Sequence, residues 1–425
     1  MLQSTEMKKD IIWNMAGSMA MAAASMLLSV FVMHVQGPDD GGIFAFGYST
    51  LGQQMFIISY FGLRALYITD VGRRYSYECF RDFRRLTMLA AAVCSLLYLL
   101  VFVGLGKYSL YKAGILLLLI GWRLGEGAAD LYESECQRSF RLWRGGREMV
   151  VRTGCLAAVF IVMLLLTRRL AISAIAGLAA EMAVVLYFRH SCLKTDFFGG
   201  GALAAQPSPG TKKALFLETL PLFLSVFLDY YVISAAKYAI DSHMTDADSG
   251  IFNLIFMPSY IIYVLANIMM RPYSTTLAAY LEAGDQKKYF RLKGRIAKLI
   301  GGISLAAVLL VLLVGRPVLR LAEIILGGAY QGMLTGLVTE LAIIIAGGGL
   351  YALAALYYYI IIIKHRQKQL FVLYAGLTLL SFAMAGRLVI RLGLRGGAVC
   401  YLISCIVMCA GAFWLTEHEG LKWRS

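Results

Sequence analysis

Twelve apolar runs, each close to the roughly 20 residues that a helix needs to cross a bilayer, occupy most of this 425-residue chain. They lie at about 11–35, 43–66, 86–106, 111–135, 149–167, 170–190, 214–237, 251–272, 297–316, 332–362, 369–386 and 394–416. With 60% hydrophobic residues against the roughly 45–50% of soluble domains, the chain reads as an all-α polytopic membrane protein. The opening MKKDIIW leads into a long span with no small-residue cleavage site at its far end, so the first helix is expected to stay.

The net charge of +15 invites a nucleic-acid reading, but its placement argues otherwise. With the N-terminus inside, the inner segments hold 27 of the 40 Lys and Arg and the outer loops only 9. Such a bias orients a membrane protein, here with both termini cytoplasmic, and no nucleic-acid partner is expected. No cysteine falls in an expected outer loop, and the five histidines lack metal-ligand spacing, so neither a disulfide framework nor a metal site is implied. No outer loop exceeds about 16 residues, too little for a glycan polymerase or ligase site, and the string GxxxxGK[ST] is absent. The chain is therefore read as no enzyme, without a cofactor.

The polar stretch from His190 to Lys213 reads as a linker between six spans on either side. The organisation expected is a half at 1–192, a cytoplasmic linker at 193–213 and a half at 214–425. A shift of 208 residues lays Gly42-Ile43-Phe44 on Gly250-Ile251-Phe252, each after a short acidic loop. Each copy is expected at the outer hairpin between the first two helices of a half, with glycine allowing the turn and Ile-Phe starting the next helix in lipid. Six spans per half make the halves parallel pseudo-symmetric repeats around a central cavity.

The opening KKDIIWNMAGSM, the acidic turn before GIF, the YFGLRAL ending of the second span and DYYVISAAKYAIDSHMTDADSGIF together resemble the polysaccharide transporter family. These are the O-antigen and capsule lipid-linked oligosaccharide flippases, related to the lipid II flippases and MATE exporters. The resemblance implies a MATE-like fold and translocation of an undecaprenyl-pyrophosphate-linked glycan across the bacterial cytoplasmic membrane by alternating access. It also implies a monomer working beside glycosyltransferases or a polymerase. An ion-coupled multidrug exporter of the MATE type is the competing reading, and it calls for a more acidic, aromatic cavity with few arginines.

Polar residues within spans mark faces that avoid lipid. Asn14, Ser18, Ser25 and Ser29 align on span 1; Ser49, Gln53, Tyr60 and Arg64 on span 2; Asn253, Tyr260, Asn267 and Arg271 on span 8. Helix packing and cavity lining both accommodate such stripes. In span 4, Arg123, Glu126, Asp130 and Glu133 share about 80° of the circumference. They form either an ion-pair ladder between helices or a site in which Arg123 binds a substrate anion and Glu126 or Asp130 carries a coupling Na+ or H+. Glu133 is expected to pair with Arg138 or to snorkel. In span 7, Glu218, Ser225 and Asp229 share a face beside Pro221, with Glu218 and Asp229 as further coupling candidates. Lys237 is read as snorkelling or as substrate-binding. Arg64, Arg123, Arg152 and Arg271 are grouped as a basic inner vestibule, because guanidinium suits pyrophosphate while amides and tyrosines suit sugar hydroxyls. Gly347, Gly348 and Gly349 read as a site of close packing, a bend or a gating hinge.

Overall fold

The computed structural model describes residues 2–70, 75–139, 141–193, 211–364 and 366–417. Every regular element among them is helical. They divide into two compact units, Met1–Phe227 and Leu228–Ser425, with helix α9 contributing to both. Residues 194–210 of the expected linker lie outside the described residues.

The first unit begins with α1 (Leu2–Gln36), which ends where Gly37 takes a positive φ of 89°. Pro38 starts α2 (Pro38–Phe46), which continues through a π-helical turn (Gly47–Leu51) into α3 (Gly52–Tyr60). After a break at Phe61 and Gly62 comes α4 (Leu63–Thr69). Four long helices follow: α5 (Tyr77–Gly104), α6 (Leu110–Arg138), α7 (Leu142–Thr167) and α8 (Leu170–Leu193). Serine caps start two of them, Ser76 accepting from the Cys79 amide at 3.2 Å and Ser109 from the Lys112 amide at 3.1 Å. The unit also holds the first half of α9 (Thr211–His243).

In the second unit α10 (Asp246–Glu282) opens with a capping box formed by Thr245 and Asp248. It is followed by α11 (Gln286–Leu326), α12 (Val338–Ile363) and α13 (Gln367–Glu417). The long α13 is two helical arms, since Gly393 leaves helical geometry at φ 59°, and the arms match the last two apolar runs. Among the described residues, eight helices are long and apolar enough to cross a membrane by length and composition. The long helix α6 is not among them because its C-terminal half carries the four charges of the polar stripe. Leucines such as Leu309, Leu312 and Leu313 on α11, and Leu89 and Leu100 on α5, stand exposed, as lipid-facing residues must. Helix ends reach past the apolar runs: α5 starts at Tyr77 rather than near 86, and α11 spans Gln286–Leu326 rather than 297–316. Hydropathy registers only the apolar middle of a helix whose charged turns continue it.

One expectation needs correction, and one set of alternatives narrows. Ile43, Phe44, Ile251 and Phe252 are all buried rather than lipid-facing. Phe44 packs with Tyr48, Trp122 and Phe160 at centroid distances of 5.8, 5.9 and 5.5 Å, so Gly-Ile-Phe seeds the core just after the turn. The triple glycine does not break α12, which runs on through it. A Cβ would lie 2.7 Å from the Tyr401 ring at Gly347, 2.8 Å from Ser259 at Gly348 and 2.5 Å from Ser304 at Gly349. Three successive glycines thus admit three helices, α13, α10 and α11, to three sides of α12; close packing is their role.

Candidate functional site

The polar stripe of α6 lies in the interior of the first unit. Arg123, Glu126, Asp130 and Glu133 are 8%, 8%, 4% and 5% exposed. At this depth each charge needs a partner: Arg123 and Glu126 pair with each other, and neighbouring helices supply arginines for Asp130 and Glu133.

Arg123 uses one terminal nitrogen on both Glu126 oxygens, at 2.8 and 2.9 Å, and its guanidinium lies 3.9 Å from the centroid of the Tyr48 ring. Its Nε donates to the Tyr48 carbonyl at 3.1 Å. That carbonyl belongs to the π-helical turn, where i→i+5 bonding widens the helix and changes which carbonyls face outward.

Deeper along α6 the pairs fuse into a network. Arg64, on α4, reaches Asp130 at 3.1 Å and Glu133 at 3.0 Å, and also donates to Gln137 at 3.1 Å. Arg84, on α5, pairs with Asp130 and donates to the Ser59 carbonyl at 2.6 Å. Arg152, on α7, contacts Glu133 at 3.1 Å, Glu148 at 2.8 Å and Glu181 at 3.3 Å. Three guanidiniums and four carboxylates are joined in this way, with the Arg123–Glu126 pair one turn away. Buried oxygens of Glu148 and Glu181, their Oε2 atoms, have no partner among the described residues.

Local backbone geometry makes the network possible. Phe61 is left-handed at φ 48° and Gly62 at φ 69°, which ends α3 and leaves the Ser59 carbonyl free for Arg84 and for the Thr87 hydroxyl at 2.8 Å. The left-handed conformation costs Phe61 about 1–2 kcal/mol. Stacking on Phe223, with centroids 4.2 Å apart, offsets it. At Gly127 a Cβ would lie 2.4 Å from the Ser59 hydroxyl, so only glycine lets α6 approach α3 this closely.

The other candidate residues are more dispersed. Asn14 and Gln53 are half-buried, and Tyr60 packs near Arg84, whose guanidinium is 5.8 Å from its ring centroid. Glu218 is exposed and accepts from the Tyr75 hydroxyl at 2.9 Å. In the second unit, Asp229 accepts from the Tyr351 hydroxyl at 2.8 Å, and Tyr263 stacks on Tyr351 at 4.6 Å. Lys237 does not snorkel: it is buried with its ammonium 4.1 Å from the Phe256 ring centroid. Asn253 is buried and donates to the Ser249 carbonyl at 2.9 Å, whereas Tyr260, expected on the same face, is 55% exposed. The side chains of Asn267 and Arg271 lie outside the described residues.

Glu133 does not pair with Arg138; Arg138 instead donates to the Asp70 carbonyl at 3.0 Å and lies 4.7 Å from the Tyr67 ring centroid. Arg84 and Glu148 escaped the sequence reading. Arg84 sits in the basic run at the start of α5 that the sequence assigns to the cytoplasmic face, yet it is 3% exposed. The apolar run begins two residues after it, so the sequence places Arg84 outside the span.

No family model and no curated protein matches the chain. Solved structures do. An inward-facing MATE-family multidrug resistance transporter of the MOP superfamily superposes with a TM-score of 0.70 at 14% identity, covering 93% of this chain and 94% of that one. The lipid II flippase MurJ, in an inward closed conformation, superposes at 0.66 and 13% identity over 96% of this chain and 87% of its own. A MOP superfamily transporter from Pyrococcus furiosus gives 0.60 and 14% over 97% and 95%. The chain is an all-helical, multi-span membrane protein. Its fold is the MATE-like fold of the MOP superfamily transporters.

Proposed function

We propose that the protein is a flippase that carries an undecaprenyl-pyrophosphate-linked oligosaccharide across the bacterial cytoplasmic membrane by alternating access, as a monomer with cytoplasmic termini. The observation that carries this reading is Arg64. It is the most open guanidinium of the network, 23% exposed at its side chain, and both of its carboxylate partners hold a second arginine. A phosphate oxyanion can therefore take Arg64 from Asp130 and Glu133 without orphaning either acid. Guanidinium binds phosphate through paired, charge-assisted hydrogen bonds, which an exporter of cationic drugs would not need.

The four carboxylates against three guanidiniums leave one negative charge uncompensated among these groups, which suits a coupling H+ or Na+ held near Asp130. The alternative, an ion-coupled multidrug exporter of the MATE type, draws on Asp229 with its Tyr351 and Tyr263 partners, an acidic and aromatic group suited to cations.

The test is export of lipid-linked glycan in cells or proteoliposomes by Arg64→Ala, with membrane abundance and drug efflux measured in parallel. Loss of glycan translocation at undiminished protein level is expected. Full glycan export by the variant, or efflux of cationic drugs by the wild type with no glycan translocation, sinks the proposal.

A further inference from the structure

A second basic feature of the first unit lies apart from the network's open edge. A cavity of about 230 Å³ is walled by α5 and α8 and floored by α6. Arg81, Arg84, Arg85 and Arg189 line it together with Tyr132 and Phe188. Its one lining carboxylate, Glu148, is already committed to Arg152. Asp82, beside the cavity, is shared among Arg81 at 3.5 Å, Arg85 at 3.4 Å and Lys212 at 3.8 Å. Arg189 makes no ion pair among the described residues. The Arg84 Nε is buried and donates to none of them, although Arg84 is only 3% exposed. The cavity thus gathers four arginines against one carboxylate; the Nε atoms of Arg81 and Arg84 are buried without a hydrogen-bond acceptor among the described residues, and the Glu148 Oε2 is without a donor.

Its position narrows the ligand. On either side of the cleft, Leu86 and Leu89 on α5 and Leu186 and Tyr187 on α8 are 56%, 61%, 61% and 68% exposed, the exposure expected of residues that face acyl chains. Basic pockets between spanning helices, at headgroup depth, are suited to anionic headgroups. Tyr132 and Phe188 supply an apolar wall against which a headgroup's glycerol can rest.

We infer that this cleft between α5 and α8 is a binding site for a phosphate oxyanion, delivered laterally as the headgroup of an anionic phospholipid, which shares Arg84 with the network and leaves Arg64 free for the exported substrate. Arg189 and Arg81 hold the phosphate from the cleft's sides, and the Arg84 Nε faces it from within. Bound there, the lipid clamps α5 to α8.

The test uses the full chain, purified and placed in phosphatidylcholine nanodiscs with or without phosphatidylglycerol; inorganic phosphate is added to the phosphatidylcholine discs in a separate arm. Retained phospholipid is read by native mass spectrometry and stability by the thermal midpoint. Phosphatidylglycerol is expected to stay bound through detergent extraction and to raise the midpoint. Each of Arg81→Gln and Arg189→Gln should weaken retention by roughly fivefold and the double variant by about 25-fold. Lys287→Gln, which removes an exposed positive charge from the second unit, should change nothing. The Arg189→Gln variant alters an exposed side chain without ion-pair partners among the described residues, so it keeps the test open if the double variant does not fold. Protection by inorganic phosphate alone would assign the cleft to free phosphate instead of lipid. Equal phosphatidylglycerol retention by wild type and double variant, or no protection by either phosphate source, overturns the inference.

Discussion

Replacing Arg152 by glutamine should be among the most damaging single changes in the first unit. Arg152 is 2% exposed and is the shared partner of Glu133, Glu148 and Glu181. Glu133 would keep Arg64, but Glu148 and Glu181, each 1% exposed, would have no cation left within ion-pair distance among the described residues. Breaking a buried pair on one side costs about 3–5 kcal/mol because the surviving charge stays desolvated. At roughly 2–4 °C per kcal/mol, the midpoint should fall by about 6–20 °C. The measurement is thermal unfolding of the purified protein in nanodiscs, alongside Glu148→Gln, Glu181→Gln and the double variant of Arg152 and Glu148. Removing either acid sheds a charge from a set with one carboxylate too many, so each should cost no more than about 1 kcal/mol. The double variant should recover at least about 1 kcal/mol of the loss, the coupling expected of groups in direct contact. An Arg152→Gln midpoint within 2 °C of the wild type, with roughly 2 °C well below the loss expected from the cited slope, would refute the reasoning. So would a Glu181→Gln variant as unstable as Arg152→Gln.

Gly348→Val should lower the midpoint by the equivalent of about 1–3 kcal/mol, because even its Cβ would lie 2.8 Å from Ser259; a variant as stable as wild type would show that α10 and α12 are not in close contact. Gly62→Ala should cost about 1–2 kcal/mol, since Gly62 holds φ 69° and a Cβ would meet Leu222 at 3.0 Å, and an unchanged midpoint would rule out the left-handed break after Phe61. On the exporter reading, Asp229→Asn should abolish any dependence of transport on a sodium or proton gradient and Tyr351→Phe, which removes only a hydrogen bond, should keep it in weakened form; on the flippase reading, Asp130→Asn and not Asp229→Asn should abolish it. Gradient dependence identical in Asp229→Asn and wild type would remove Asp229 from coupling.

The fold was legible because bilayer thickness sets a length scale that composition reveals directly. Twelve apolar runs match α1, the α2–α3 segment, α5 to α12 and the two arms of α13. The interruptions were harder to read. The π-helical turn at Gly47–Leu51 and the break at Phe61 lie inside one unbroken apolar run, and neither changes its hydropathy. Phenylalanine at positive φ contradicts local preference and is held by tertiary stacking on Phe223, which periodicity does not report.

The candidate site was legible on one helix only. Spacing put Arg123, Glu126, Asp130 and Glu133 on one face of α6, and burial shows that this face is interior. Partner choice depends on which helices surround that face, so the neighbour in sequence, Arg138, was the wrong partner for Glu133, and the distant Arg64 and Arg152 were the right ones. The same logic explains Arg84. In a basic run, hydropathy treats every arginine as one more charge toward orientation, yet helix α5 turns Arg84 inward to Asp130 while Arg85, the next residue, points out with its side chain 61% exposed. The hundred-degree step between adjacent helical residues thus separates a charge that orients the chain from one that builds its interior.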